Sequence, residues 1–258
     1  MDLTRPVVAR ATLTRNVAPG IHRLSHAYVN CYFVEDASGV TIVDAALPAT
    51  WMHVRRVLTA IGRTPHEVRA LVLTHAHFDH LGFARRIRDE WGVPVYAHLA
   101  DHDIAAHPYR YAHENPRSIY PILHPRAVVP LAAMVRAGAL AVPGLDEVIE
   151  IEPGAELDVP GSPRVVFSPG HTFGHCALHI ASADALLCGD AVVTFNPYTA
   201  GYGAQIVSGA ATADSEQALV SLEVLAATGA RLVLPGHGRS WRDGIASAAA
   251  QAMAAGPS

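Results

Sequence analysis

Apolar residues along the chain switch between two periods, and the switches lay out the fold. "AYVNCYFVED" and "GVTIVDAAL" are β-branched and aromatic runs separated by Ala37-Ser38-Gly39, which predicts two strands joined by a tight turn. Val54, Val57, Leu58 and Ile61 then recur at helical spacing, with Thr50 placed to cap a helix and Gly62 to end it. "VRALVLTH" predicts a short buried strand, a helix follows through Phe83, Ile87 and Trp91, and "VPVYAH" predicts the next strand. The first half thus reads β-β-α-β-α-β. The second half repeats this grammar. Strands are predicted at "DEVIEIE", "RVVFSPGH", "HCALHIA", "ALLCGD" and "RLVLPGHG". A helix covers about residues 214–228, with Leu219, Leu222 and Leu225 on related faces and Gly229 as its stop, and another covers about residues 241–253. Between the halves, over about residues 98–144, the pattern breaks into scattered His, Pro and Tyr and then a helical piece near residues 128–140. We read this stretch as a helical insertion in one α/β domain over residues 1–258, built from two sheets packed face to face with helices outside.

Composition narrows the class. Half of the 258 residues are apolar and 16% are charged, which describes a globular chain with a real core. The basic residues are all Arg, the net charge is −4 and no basic block occurs, so nucleic acid is not expected as a partner. No apolar run reaches the length of a membrane span, and "MDLTRPVVARATLTRNVAPG" has no long apolar core of a leader. A cytoplasmic protein without a membrane partner is expected. The three cysteines, Cys31, Cys176 and Cys188, are too dispersed for a disulfide framework or a thiolate metal site.

Histidine is the anomaly, with 16 in the chain. "LVLT" runs into His75, His77, Asp79 and His80; "VVFSPG" runs into His171, "ALLCG" into Asp190 and "LVLPG" into His237. His75 and His77 alternate, so they point to the same side of an extended backbone, and Asp79 and His80 turn toward a neighbouring point as the helix begins. Five imidazoles and two carboxylates exceed the needs of one ion. Divided in two they fit: His75, His77 and His171 for a first metal, Asp79, His80 and His237 for a second, and Asp190 bridging both. Nitrogen and oxygen ligands without thiolate suit two divalent ions, zinc first, with iron or manganese as alternatives.

These motifs resemble the metallo-β-lactamase superfamily. "THAHFDH" is similar to its H-x-H-x-D-H signature, and "PGHTFGH", "LLCGD" and "LPGHG" are similar to its later motifs in the same order. Asp44 in "TIVDAAL" resembles the family's early aspartate, which supports the site without binding metal. The resemblance implies a four-layer αββα sandwich of two mixed sheets with the metals at one edge. It also sorts the members. True β-lactamases lack an aspartate at the place of Asp190, whereas glyoxalase II-like thioesterases and acyl-homoserine lactonases share it. Glyoxalase II-like members usually carry a further C-terminal helical region, and only about one helix is expected here after His237.

The expected activity is hydrolysis of a small-molecule ester, lactone or thioester by a hydroxide bridging two ions, with Asp79 orienting it and Asp190 holding the metal spacing. The alternative is a one-iron oxidoreductase resembling persulfide dioxygenases; a binding protein with a spent site is a third reading. His175 and Asp44 are candidates to orient the ligand imidazoles. The insertion is rich in aromatics and prolines, which suits a substrate wall: Tyr111 and Tyr120, with Tyr198 and Tyr202 completing it. The alternative for the insertion is a contact between two copies in a homodimer, or plain surface packing.

Overall fold

The computed structural model describes residues 10–258, so the first part of the N-terminal stretch read for a leader, residues 1–9, lies outside the described residues. The first sheet has seven strands in sequence order: β1 (Thr12–Ala18), β2 (Ile21–His26), β3 (Val29–Asp36), β4 (Gly39–Val43), β5 (Val68–Val72), β6 (Val95–Ala97) and β7 (Ile149–Glu150). Tight turns make β1 to β4 antiparallel. From β4 onward the strands are parallel, because helices α1 (Trp51–Ala60), α2 (Phe78–Leu81) and α3 (Ala84–Trp91) carry the chain back between them. The second sheet has the order β13-β10-β9-β8, from β8 (Arg164–Phe167), β9 (Cys176–Ile180), β10 (Ala185–Gly189) and β13 (Leu232–Pro235). Both sheets are therefore mixed, as expected. A separate hairpin, β11 (Val193–Asn196) and β12 (Gly201–Gln205), stands beside the second sheet.

Strand alternation sorts side chains into layers. Tyr32, Val34, Val43 and Val72 of the first sheet meet Val165, Leu178, Leu187 and Leu234 of the second in a central core. Their neighbours Cys31, Phe33, Ile42 and Leu71 point the other way, against Val54, Val57 and Leu58 of α1 and Ile87 of α3. Leu186, Cys188 and Val233 face outward from the second sheet onto α7 (Ser215–Ala226) and α8 (Ile245–Ala255). The period of two thus feeds one core on each face of each sheet, giving the four layers αββα. Each large side chain so buried is worth about 1.5–3 kcal/mol.

Several elements differ from expectation. "DEVIEIE" shrinks to β7 and pairs with β6, Tyr96 opposite Ile149, so it extends the first sheet and not the second. The hairpins β1–β2 and β11–β12 are additional. Thr50 makes no capping bond, because a 3-10 turn at Pro48–Thr50 already starts the helix and its hydroxyl meets His26 Nδ1 at 3.0 Å. The insertion holds the short helices α4 (His102–Ala106) and α5 (Tyr120–Leu123), and α6 (Val128–Arg136), which ends before residue 140. Among the described residues no single helix is long and apolar enough to cross a membrane.

The segment after β4 is strapped to the end of α2: Ala45 N–H donates to the His80 carbonyl at 2.7 Å and Gly82 N–H to the Ala46 carbonyl at 2.8 Å. A Cβ at Gly82 would overlap the Ala46 carbonyl and the Leu47 backbone, neither of which has room to move. Gly82→Ala is expected to cost about 3 kcal/mol, read as a lowered urea midpoint at unchanged slope; an unchanged midpoint would show that the strap yields.

Candidate metal centre

β8, β10 and β13 run parallel to one another, so their carboxyl ends meet at one edge of the sandwich. The carboxyl end of β5 opens at the same edge. His75 and His77 follow β5, Asp79 and His80 lie on α2, His171 follows β8, Asp190 follows β10 and His237 follows β13. All seven are buried.

The structure brings the seven together. Ligand atoms of His75, His77 and His171 lie within 4.8 Å of one another, as do those of Asp79, His80 and His237, and those of His75, His80 and Asp190. Asp190 reaches toward both sets: its Oδ2 is 3.6 Å from His171 Nε2 and 3.2 Å from His237 Nε2, and its Oδ1 is 3.4 Å from His80 Nε2. His237 Nε2 is also 3.3 Å from Asp79 Oδ2. A Cβ at Gly236 would overlap Asp190 Oδ1, so glycine there admits the carboxylate to the centre.

Outer hydrogen bonds aim the imidazoles. His80 Nδ1 meets Asp44 Oδ2 at 2.9 Å, and Asp44 also accepts the Thr74 N–H at 2.8 Å. His75 Nδ1 meets the Thr74 hydroxyl at 3.1 Å, His171 Nδ1 the Thr212 hydroxyl at 3.3 Å, and His237 Nδ1 the Tyr28 carbonyl at 2.8 Å. With Nδ1 held, Nε2 points inward. His175 accepts the Asp190 N–H on Nε2 at 3.1 Å and pairs its Nδ1 with Ser168 at 2.9 Å, so it positions Asp190 and adds no ligand. Asp44 stands at φ +62°, a left-handed conformation held by these bonds.

The inward atoms pass the chemical test for a cation. Nε2 of His75, His77, His80 and His171, and Oδ1 of Asp190, are buried without a hydrogen-bond partner. Nitrogen lone pairs and carboxylate oxygens left so are what a divalent ion requires. Electrostatics agree. Burial, reinforced by neighbouring imidazoles, holds His75 and His77 well below the usual imidazole range. Burial also pushes His171 down to about 4 against the pull of Asp190. Burial opposes charge on His237 too, but Asp190 and Asp79 outweigh it and raise it to about 10; Asp190 and Asp44 likewise raise His80 well above the usual range. The carboxylates thus favour positive charge at His80 and His237.

Of the expected wall residues, Tyr111 and Tyr198 line the cavity over this edge, with Phe78, Pro197 and Val207. The Tyr111 ring lies 3.9 Å from the His77 ring, with the Arg117 guanidinium 4.2 Å from the Tyr111 centroid. The Tyr111 hydroxyl is buried beside that of Tyr198 without a well-formed hydrogen bond. Tyr120 stands behind, edge-on to Tyr198 at 6.1 Å, and its hydroxyl donates to the Ser258 carbonyl oxygen at 2.9 Å. Tyr202 is half-exposed on β12 against Phe195, away from the cavity lining.

One residue was not legible in the sequence. Asp101, fully buried at the start of the insertion, accepts Ala76 N–H at 2.9 Å, Gly174 N–H at 2.9 Å and the Thr172 hydroxyl at 2.8 Å. It ties the His75–His77 loop to the loop after His171. Its signal was an aspartate just beyond a predicted strand on the ligand-bearing edge.

Layers, parallel strand ends and converging ligands define a metal-binding αββα protein. The chain belongs to the metallo-beta-lactamase superfamily, whose model matches residues 26–237. It is 29% identical over 189 residues to the probable metallo-hydrolase YflN of Bacillus subtilis (strain 168), covering 69% of this chain and 66% of that one. It is 29% identical over 175 residues to a hydroxyacylglutathione hydrolase of Gloeobacter violaceus, covering 66% of this chain and about half, 52%, of the relative. Among solved structures, a metallo-beta-lactamase family protein of Thermus thermophilus superposes with TM-score 0.65 at 24% identity, covering 90% of this chain and 78% of the other. The protein TTHA1623, solved in a di-iron-bound form, superposes with TM-score 0.61 at 24% identity, covering 85% and 92%.

Asp101→Ala is expected to leave three buried donors unpaired and to lower stability by about 3 kcal/mol. Metal retained through dialysis should fall with it, since both ligand loops lose their tie. Wild-type retention in a folded variant would show that the loops hold themselves.

Proposed function

We propose that the protein is a dinuclear metal-dependent hydrolase of a small-molecule ester, lactone or thioester. The observation that carries this is the pair of convergent ligand sets sharing Asp190. His75, His77 and His171 would hold one ion, Asp79, His80 and His237 the other, with Asp190 between them. Such ions supply Lewis acidity and activate water near neutral pH. Zinc suits the donor set, and the di-iron form of TTHA1623 keeps iron as a candidate. The second ligand set supports two ions over the one-iron oxidoreductase reading.

The chain's own residues frame the reaction. Asp79 and Asp190 present carboxylates to the cavity and can take a hydrogen bond from an attacking water. Tyr111 and Tyr198 place hydroxyl donors beside a largely apolar wall, suited to an oxygen that gains charge as an acyl carbon is attacked. The names of the metallo-hydrolase and hydroxyacylglutathione hydrolase relatives support acyl hydrolysis. The bridging aspartate favours these over β-lactam substrates.

Elemental analysis of metal-replete protein should give about two ions per chain. Asp190→Ala should lower occupancy of both sites and His237→Ala chiefly of one; one ion or none in the wild type rejects the dinuclear reading. On a panel of lactones, thioesters and phosphodiesters, Tyr198→Phe should lower kcat about a hundredfold with metal content unchanged. Oxygen consumption with one iron would favour the oxidoreductase instead.

A further inference from the structure

The insertion has two faces, and the metal site uses only the inner one. Tyr111 and Tyr120 pack inward with Tyr198, Val193 and Val207, and Met134 of α6 is buried against the first sheet's outer layer. The outer face is apolar and open. Ile122 and Leu123 on α5 are 79% and 66% exposed, Val128 and Val129 at the start of α6 are 49% and 62%, and Val135, two turns along from Val128, is 47%. Single exposed apolar residues are ordinary, but a run on consecutive short helices is not.

Charge singles out the occupant. Residues 115–145 contain Arg117, Arg126 and Arg136 and no Asp or Glu, in a chain of net charge −4. Arg126 and Arg136 are exposed and make no ion pair or hydrogen bond with any described residue. Apolar side chains flanked by unpaired guanidiniums match an anionic lipid surface, where arginine heads meet phosphates and apolar groups enter the layer beneath. The backbone suits the same place. Arg117–Leu123 and Pro125–Arg136 together have a membrane span's apolar composition, but the chain bends 109° between them, so they do not form one crossing helix. A second copy fits less well. In a two-fold contact through this face, residues 115–145 of the other copy offer no carboxylate to receive Arg126 and Arg136.

We propose that the outer face of α5 and α6 is a docking surface for anionic phospholipid, holding the protein on a membrane surface by its insertion. The proposal is independent of the metal chemistry.

The test is co-sedimentation of the full chain with phosphatidylglycerol-containing and pure phosphatidylcholine vesicles, read without any activity. Each arginine near an anionic surface contributes about fivefold, so the two unpaired arginines should make anionic vesicles bind roughly 25-fold more tightly, and less so in high salt. Ile122→Asp with Val129→Asp should abolish binding, and Arg126→Ala with Arg136→Ala should remove most of the anionic preference. These positions are exposed, so unchanged thermal unfolding confirms folded variants. Equal binding to both vesicles, or to neither, overturns the proposal. So does a dimer in size-exclusion chromatography that Ile122→Asp with Val129→Asp converts to monomer without any vesicle binding; that result assigns the face to a second copy.

Discussion

Five buried atoms without hydrogen-bond partners govern the structure: Nε2 of His75, His77, His80 and His171, and Oδ1 of Asp190. An unpaired buried polar group costs about 1–3 kcal/mol. Five together approach the whole stability of a typical domain, about 5–15 kcal/mol. A fold that converges such atoms at one edge gains from a cation that binds there. Asp190 favours positive charge at the neighbouring His80 and His237. A cation would satisfy these lone pairs, so metal binding and the stability of this edge are one problem.

The scaffold meets that constraint through strand direction. Parallel pairing of β10 with β13 delivers Asp190 and His237 to the same level, and β5 delivers the histidine cluster from the opposite sheet. Each loop is then fixed by buried bonds that touch no ligand atom directed inward. Asp44 holds Thr74 and His80, His175 holds the Asp190 backbone, and Asn30 of β3 donates to the Pro235 and Gly238 carbonyls at 2.8 and 2.9 Å on either side of His237. These groups are buried in both sheets, so a shift in the packing of one sheet on the other would be felt at the ligands.

What the sequence revealed follows from which signals are local. The histidine cluster, the strand-end ligands and the layers rest on short-range spacing and alternation, and they are legible because Tyr32 and Cys31, or Leu186 and Leu187, need only point opposite ways. β7 was misplaced because two residues carry no periodicity that names their sheet; its partner Tyr96 is set by tertiary packing. Thr50 looked like a cap because Ser and Thr favour that role, but a proline-led 3-10 turn took the position. Asp101 was hidden for a different reason. Its three donors come from residues 76, 172 and 174, so only its place just beyond a predicted strand on the ligand-bearing edge hints at its role.

Asp101 also explains why the insertion belongs to the site and is not an ornament on it. The insertion begins at the residue that ties the two ligand loops, passes through Tyr111 over His77, and is latched by Glu114, which accepts both the N–H and the hydroxyl of Ser215 at the start of α7. Asn115 N–H donates to the Gly209 carbonyl at 2.9 Å, and Thr212 of the same loop holds His171. Anything that pulls on the insertion is therefore transmitted to the loops that carry His77 and His171, while Asp44 and Tyr28 anchor His80 and His237 from the first sheet. His75, His80 and His237 rest on the core sheets and the His171 loop also on the segment that walls the cavity, and the His80 N–H on the His77 carbonyl at 2.9 Å joins these supports.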